Sequence, residues 1–176
     1  MRRRTKTLAL CGVLAALAVA LLFLGGALPF AAIACPVLAS LVLIPVYAES
    51  GWKWGLIWYA TVALLGLLLA PDKEAAILFV FFGYYPMLRK WFGRIRSRAL
   101  SWAVKLVYVN CAALAAYALM IFVFRMEAIA REYAQLQLYL LLGLLLLANL
   151  SFVIYDLLIG RLEIYYHVRL RPKLNI

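Results

Sequence analysis

The sequence predicts an all-α, polytopic membrane protein with six transmembrane helices in a single integral membrane domain, residues 1–176, and three observations predict it. The chain is 69% hydrophobic with a mean hydropathy of +1.00, far above the roughly 45–50% apolar share of a soluble domain. Its apolar residues gather into runs separated by short breaks of polar residues, Gly and Pro. Its cations are one-sided. With the basic stretch RKWFGRIRSRALSWAVK (residues 89–105) held inside, only Lys73, Arg125 and Arg131 of the 18 Lys and Arg fall outside. Short loops rich in Lys and Arg stay on the cytoplasmic side, which puts both termini there.

The first span, residues 7–24, ends at Gly25, Gly26 and Pro29. The MRRRTK n-region also suits a signal peptide, but the apolar run from Leu8 to Leu24 is long for one and more spans follow, so the span is read as uncleaved. The second span, residues 30–47, carries Pro36 and Pro45, and Pro36 is expected to kink it by removing a backbone donor. Glu49, Ser50 and Gly51 make a tight turn into the third span, residues 54–70, which ends at PDK, residues 71–73. The fourth, residues 74–88, reaches only about 22 Å against a hydrocarbon core of roughly 30 Å. It must sit among other helices, thin the bilayer, or continue past Pro86 as a kinked helix. The fifth covers residues 102–124. A polar connection, residues 125–137, offers Met126, Ile129 and Tyr133 at the spacing of an interfacial helix. The sixth, residues 138–159, is expected to end at Gly160 before a basic tail. Trp52, Trp54, Trp58, Trp91 and Trp102 all fall at the inner boundary, as an aromatic belt does.

Composition and motifs exclude much chemistry. A net charge of +11 would suit nucleic acid in a soluble protein, but these cations flank spans, where topology and anionic headgroups account for them. No nucleic-acid partner is expected. Cys11, Cys35 and Cys111 lie in apolar runs with no neighbouring Cys or His, so neither a disulfide framework nor a metal set is expected. Walker, HExxH and GxSxG sequences are absent, and the one histidine, His167, stands in the basic tail without a carboxylate or cysteine arranged around it. The chain is read as a non-enzyme with no catalytic residues and no cofactor.

Polar residues inside spans are costly and need an account. Lys105 and Asp156 each lie about one turn from the inner end of antiparallel spans five and six, at one depth, and the same register sets Asn110 opposite Ser151 and near Asn149. Two readings stand: a proton or cation relay, or an ion pair and amide clamp that lock two helices. The outer half of span five, residues 111–124, supplies only Tyr117 as a polar path, which favours the clamp. In span one, Gly12, Ala16 and Ala20 recur every four residues, a stripe that lets another helix approach closely. Taken alone, its partner is expected within the chain. Gly51 and Gly55 bracket the turn between spans two and three.

Six helices in this length, inner termini, the Gly12, Ala16, Ala20 stripe and the Gly51-to-Gly55 turn resemble the substrate-binding S component of energy-coupling-factor (ECF) transporters. The chain also resembles bacterial six-span membrane proteins of S-component-like fold, through FFGYYPMLRK (residues 81–90) and YDLLIGRLEIYYHVRLRP (residues 155–172). The S-component resemblance implies a bacterial cytoplasmic membrane, a helix-one stripe that docks a transmembrane T component linked to cytoplasmic ATPases, and a small solute, usually a vitamin or metal ion, captured at the outer face. The candidate outer pocket is Asp72, Glu74, Arg125, Arg131, Tyr133, Gln137 and Tyr139, while the GGALPF loop after helix one offers no hydrogen-bonding side chain. With no outer His or Cys, a metal cargo is not expected. The alternative is a non-transporting structural or assembly protein whose basic inner face binds anionic lipid or a cytoplasmic partner.

The topology is checked by cysteine labelling with a membrane-impermeant reagent. A cysteine introduced at position 72 should react from outside, and cysteines near position 96 and at both termini should not. Outside labelling at position 96 would contradict the six-span, inner-termini arrangement.

Overall fold

The computed structural model describes residues 2–27, 31–124 and 138–174, and among them every regular element is a helix. In order these are α1 (Arg2–Ala27), α2 (Ala34–Leu41), α3 (Leu43–Ser50), α4 (Trp52–Leu69), α5 (Lys73–Phe82), α6 (Tyr85–Phe92), α7 (Arg98–Phe122) and α8 (Leu138–Tyr165). A π-helical turn, Tyr166–Leu170, leads from α8 into the short α9 (Arg171–Leu174). Four described stretches are long and apolar enough to cross a membrane: Thr5–Gly26, Trp52–Leu69, Arg98–Phe122 and Leu142–Leu170. With the composition, they mark an all-helical membrane protein. The expected interfacial helix carrying Met126, Ile129 and Tyr133 lies outside the described residues.

The second and fourth expected spans are broken helices, and proline chemistry explains where they break. Pro45 has no N–H to give the Leu41 carbonyl, and its ring would crowd that carbonyl in an unbroken helix. The chain stops α2 at Leu41 and restarts at Leu43, so Pro45 becomes the third residue of α3. In a first turn the N–H groups have no intrahelical acceptor anyway, and the missing donor costs little. Pro36 is likewise the third residue of α2, so the helix is interrupted at Val42, which keeps αR dihedrals, and not at Pro36. Pro86 obeys the same rule as the second residue of α6, after a break at Gly83 and Tyr84. The fourth expected span therefore continues past Pro86 as two helical pieces, the second reaching Phe92.

By contact the chain divides into two compact units, Met1–Trp91 with Ile159–Ile176, and Phe92–Leu158. In the first, α1 packs on α2 and α4, α2 on α5, and α3 on α4. Leu22 of α1, Leu43 and Val46 of α3, Val62 of α4, Phe79 of α5 and Tyr85 of α6 have no exposed surface. Where lipid replaces water, such tight van der Waals packing carries the association of helices. Gly51 links α3 to α4 with φ +85° and ψ 175°, a conformation open essentially to glycine alone. A Cβ on Gly55 would stand 2.9 Å from the Tyr47 Cβ, so that glycine serves close helix approach.

Caps close the far end of this unit. Asp72 accepts from the Glu74 N–H at 3.0 Å and starts α5. Lys73 Nζ donates to the Leu67 and Ala70 carbonyls at 2.9 and 3.0 Å, satisfying the end of α4. The second unit consists of α7, whose N-cap Ser97 accepts from Leu100 N–H at 3.4 Å, and α8 as far as Leu158. The helix does not end at Gly160: α8 continues to Tyr165 and the π turn carries the backbone on to α9, so the expected basic tail is helical.

Candidate functional site

Two carboxylates organise one end of the first unit. Glu163, near the end of α8, has a side chain only 13% exposed and is reached from two other helices. From α3, the Tyr47 hydroxyl donates to Glu163 Oε1; from α6, Arg89 Nη1 donates to Oε2 at 3.1 Å. Lys90 Nζ stands 3.9 Å from Oε1 and 4.3 Å from the Tyr47 ring centroid, a cation over an aromatic face. Glu49, at the end of α3 and 3% exposed, pairs with Arg171 Nε at 3.0 Å and accepts from the Tyr166 hydroxyl at 3.2 Å. These bonds tie α3 and α6 to the far end of α8 and to the π turn and α9 beyond it.

The backbone makes room for the cluster. A Cβ on Gly160 would lie 2.5 Å from Arg89 Nη2, so the glycine expected to stop the helix is a notch for a guanidinium. His167 Nδ1 lies 2.9 Å from the Glu163 carbonyl, which occupies the single histidine with local backbone. The two sequence segments FFGYYPMLRK and YDLLIGRLEIYYHVRLRP thus meet, Arg89 and Lys90 of the first on Glu163 of the second. Reading the sequence missed Tyr47, Glu49 and Glu163. A signal existed: the chain has only 7 Asp and Glu, and two of them stand among the basic segments of one side.

The second unit holds the intramembrane polar pair. Lys105 Nζ donates to both Asp156 oxygens, at 3.0 and 2.9 Å, and the two side chains are 9% and 3% exposed. Lys105 also lies 4.8 Å from the Trp102 ring centroid. Asn110 and Asn149 exchange amide hydrogen bonds at 2.9 and 3.2 Å, and each amide nitrogen also donates to a carbonyl of its own helix, Leu106 or Leu145. Asn149, rather than Ser151, is the partner of Asn110. Among the described residues no buried side-chain nitrogen or oxygen lacks a partner, as a low-dielectric surround demands.

The structure places the remaining sequence-named residues as follows. Gly12, Ala16 and Ala20 are exposed on α1, and nothing lies within 4 Å of a Cβ built on Gly12. The packed face of α1 is a different one: Ala18 and Leu22 are fully buried, Cys11 Sγ lies 3.3 Å from Ser50 Oγ, and the Cys11 carbonyl accepts from Trp58 Nε1 at 2.9 Å. Of the outer-pocket residues, Asp72 and Glu74 begin α5, and Tyr139 is exposed on α8. Arg125, Arg131, Tyr133 and Gln137 lie outside the described residues. Compared with family models, curated proteins and solved structures, the chain finds no match.

A mutant cycle tests the polar pair. Asp156→Ala strands Lys105 in an apolar surround and should cost about 3–5 kcal/mol of stability in detergent, whereas Asp156→Ala combined with Lys105→Met should cost less than either change alone. Additive losses in thermal unfolding would show that the two side chains are energetically independent.

Proposed function

We propose that the chain is a solute-capture membrane subunit of the S-component type: six spans in a bacterial cytoplasmic membrane, both termini inside, working with a T component and ATPases that drive uptake. The observation that carries this reading is the exposed Gly12, Ala16, Ala20 stripe. A row of small residues at four-residue spacing is a surface on which a second helix can come to backbone contact, and lipid tails cannot use that closeness. The chain's own helices pack on the opposite side of α1, through Ala18 and Leu22. A docking helix from another subunit accounts for both facts.

The orientation draws support from the first unit, where Lys53, Arg89, Lys90 and Arg171 belong to the helix ends gathered around Glu49 and Glu163, as the positive-inside rule has it. Within the first unit, capture at the opposite face would use Asp72 and Glu74 at the start of α5. A second reading, a structural or assembly protein, is favoured by one observation: Glu49 and Glu163 lock the basic C-terminal helix in place, as a fixed docking face for a cytoplasmic partner would need.

Ala16→Leu tests the first reading, since the stripe carries it. If the stripe docks a T component, the variant should stay folded but fail to assemble with the host's T component and ATPases in size-exclusion chromatography. If the stripe packs within the chain, the same change should overpack it by about 1–3 kcal/mol and lower the yield of folded protein. A folded variant that assembles normally would count against docking through this stripe.

A further inference from the structure

Two adjoining hollows lie beside the Glu163 cluster, both within the first unit. One is an apolar groove of about 360 Å³ lined by Leu10 and Leu14 of α1, Pro45 of α3, and Tyr165, Tyr166 and Leu170 at the end of α8 and in the π turn. The other is a shallow depression of about 320 Å³ lined by Arg161, Ile164, Tyr165, Val168 and Arg169. Tyr165 lines both, so the apolar groove adjoins the depression that Arg161 and Arg169 line. The Tyr166–Leu170 π turn sits at the junction, and wide turns of this kind occur frequently at functional sites.

Charge sorts the cations of this end into two sets. Arg89 and Arg171 are paired, with Glu163 and Glu49. Arg161 and Arg169 are exposed, and among the described residues no carboxylate pairs with either. The nearby carboxylates are already taken. Two unneutralised guanidinium groups beside an apolar groove are complementary to a molecule with an anionic head and a hydrocarbon tail. The groove is bordered by stretches apolar enough to cross a membrane, Thr5–Gly26 and Leu142–Leu170, so what fills it comes from the bilayer.

We propose that these hollows form one site for an anionic phospholipid, its phosphate held by Arg161 and Arg169 and one acyl chain lying in the groove between Leu14 and Tyr165. Arginine suits the head because its planar fork grips phosphate oxygens in pairs. The Glu163 cluster positions the site by fixing the helix that carries both arginines. This lipid is a bound constituent, distinct from the solute captured at the outer face.

The test is a lipid titration of the purified full chain in neutral detergent, read by native mass spectrometry. Dioleoylphosphatidylglycerol should bind more tightly than dioleoylphosphatidylcholine, and millimolar inorganic phosphate should neither bind nor displace it. Arg161→Gln with Arg169→Gln should weaken the anionic lipid on the order of thirtyfold, about fivefold for each cation, and phosphatidylcholine, whose choline cation offsets its phosphate, by much less. Leu14→Trp, which fills the groove and spares both arginines, should weaken both lipids. Equal binding of the two lipids by the unmodified chain would overturn the site without recourse to any variant, as would an anionic preference that survives the double change. Displacement of the lipid by inorganic phosphate would mark a site for a free anion and overturn the lipid assignment.

Discussion

In a chain this apolar, the constraint on which the rest depends is that every buried charge must be met by another charge or a hydrogen bond. Glu163 shows the constraint most fully. One carboxylate oxygen takes the Tyr47 hydroxyl, the other takes Arg89, and Lys90 stands within 3.9 Å. Three segments far apart in sequence are thereby fixed at one place, an outcome that nondirectional apolar packing among leucine-rich helices does not specify. Glu49 repeats the arrangement with Arg171 and Tyr166, and Lys105 with Asp156 repeats it in the second unit. Buried pairs of this kind add little net stability over apolar packing, since desolvation offsets much of the attraction, but removing one member is costly. Their effect is to select one register among many that apolar helices would otherwise tolerate.

Much of the fold is legible in the sequence because hydropathy reports the solvent around a helix. The runs at residues 7–24, 54–70, 102–124 and 138–159 all correspond to long apolar helices. What hydropathy does not report is where a helix breaks inside one environment. Pro36 and Pro45 look equivalent in sequence, yet only the residue four before Pro45 loses a hydrogen bond to an established helix, so the break falls at Val42. Gly160 reads as a stop for the same local reason, and the structure uses it as space for Arg89, a residue 71 positions earlier. Such long-range demands leave no local trace.

The candidate sites were legible to unequal degrees. Lys105 and Asp156 stand out because each is an isolated charge within an apolar run, and the depth argument alone sets them side by side. Glu49 and Glu163 stand out less, because each lies near a helix end and reads as a solvated residue until the fold buries it, and only their place among basic segments in a chain with 7 Asp and Glu marks them. The small-residue stripe is legible as a surface but not as to its partner, since Gly12, Ala16 and Ala20 carry no groups that specify direction. Its exposure supplies that direction, away from the face on which α1 buries Ala18 and Leu22. Arg161 and Arg169 were visible only as basic residues of a tail, and their separation from the paired Arg89 and Arg171 comes from the third dimension.

Within the first unit the Glu163 carboxylate holds the end of α8 and the π turn against α3 and α6, and backbone hydrogen exchange in detergent micelles measures this directly. Glu163→Gln removes the charge that Arg89 and Lys90 meet while keeping the shape of the side chain. Exchange across residues 160–170 should be faster in the variant, with protection in α4 unchanged. Equal protection of residues 160–170 in the two proteins would contradict it.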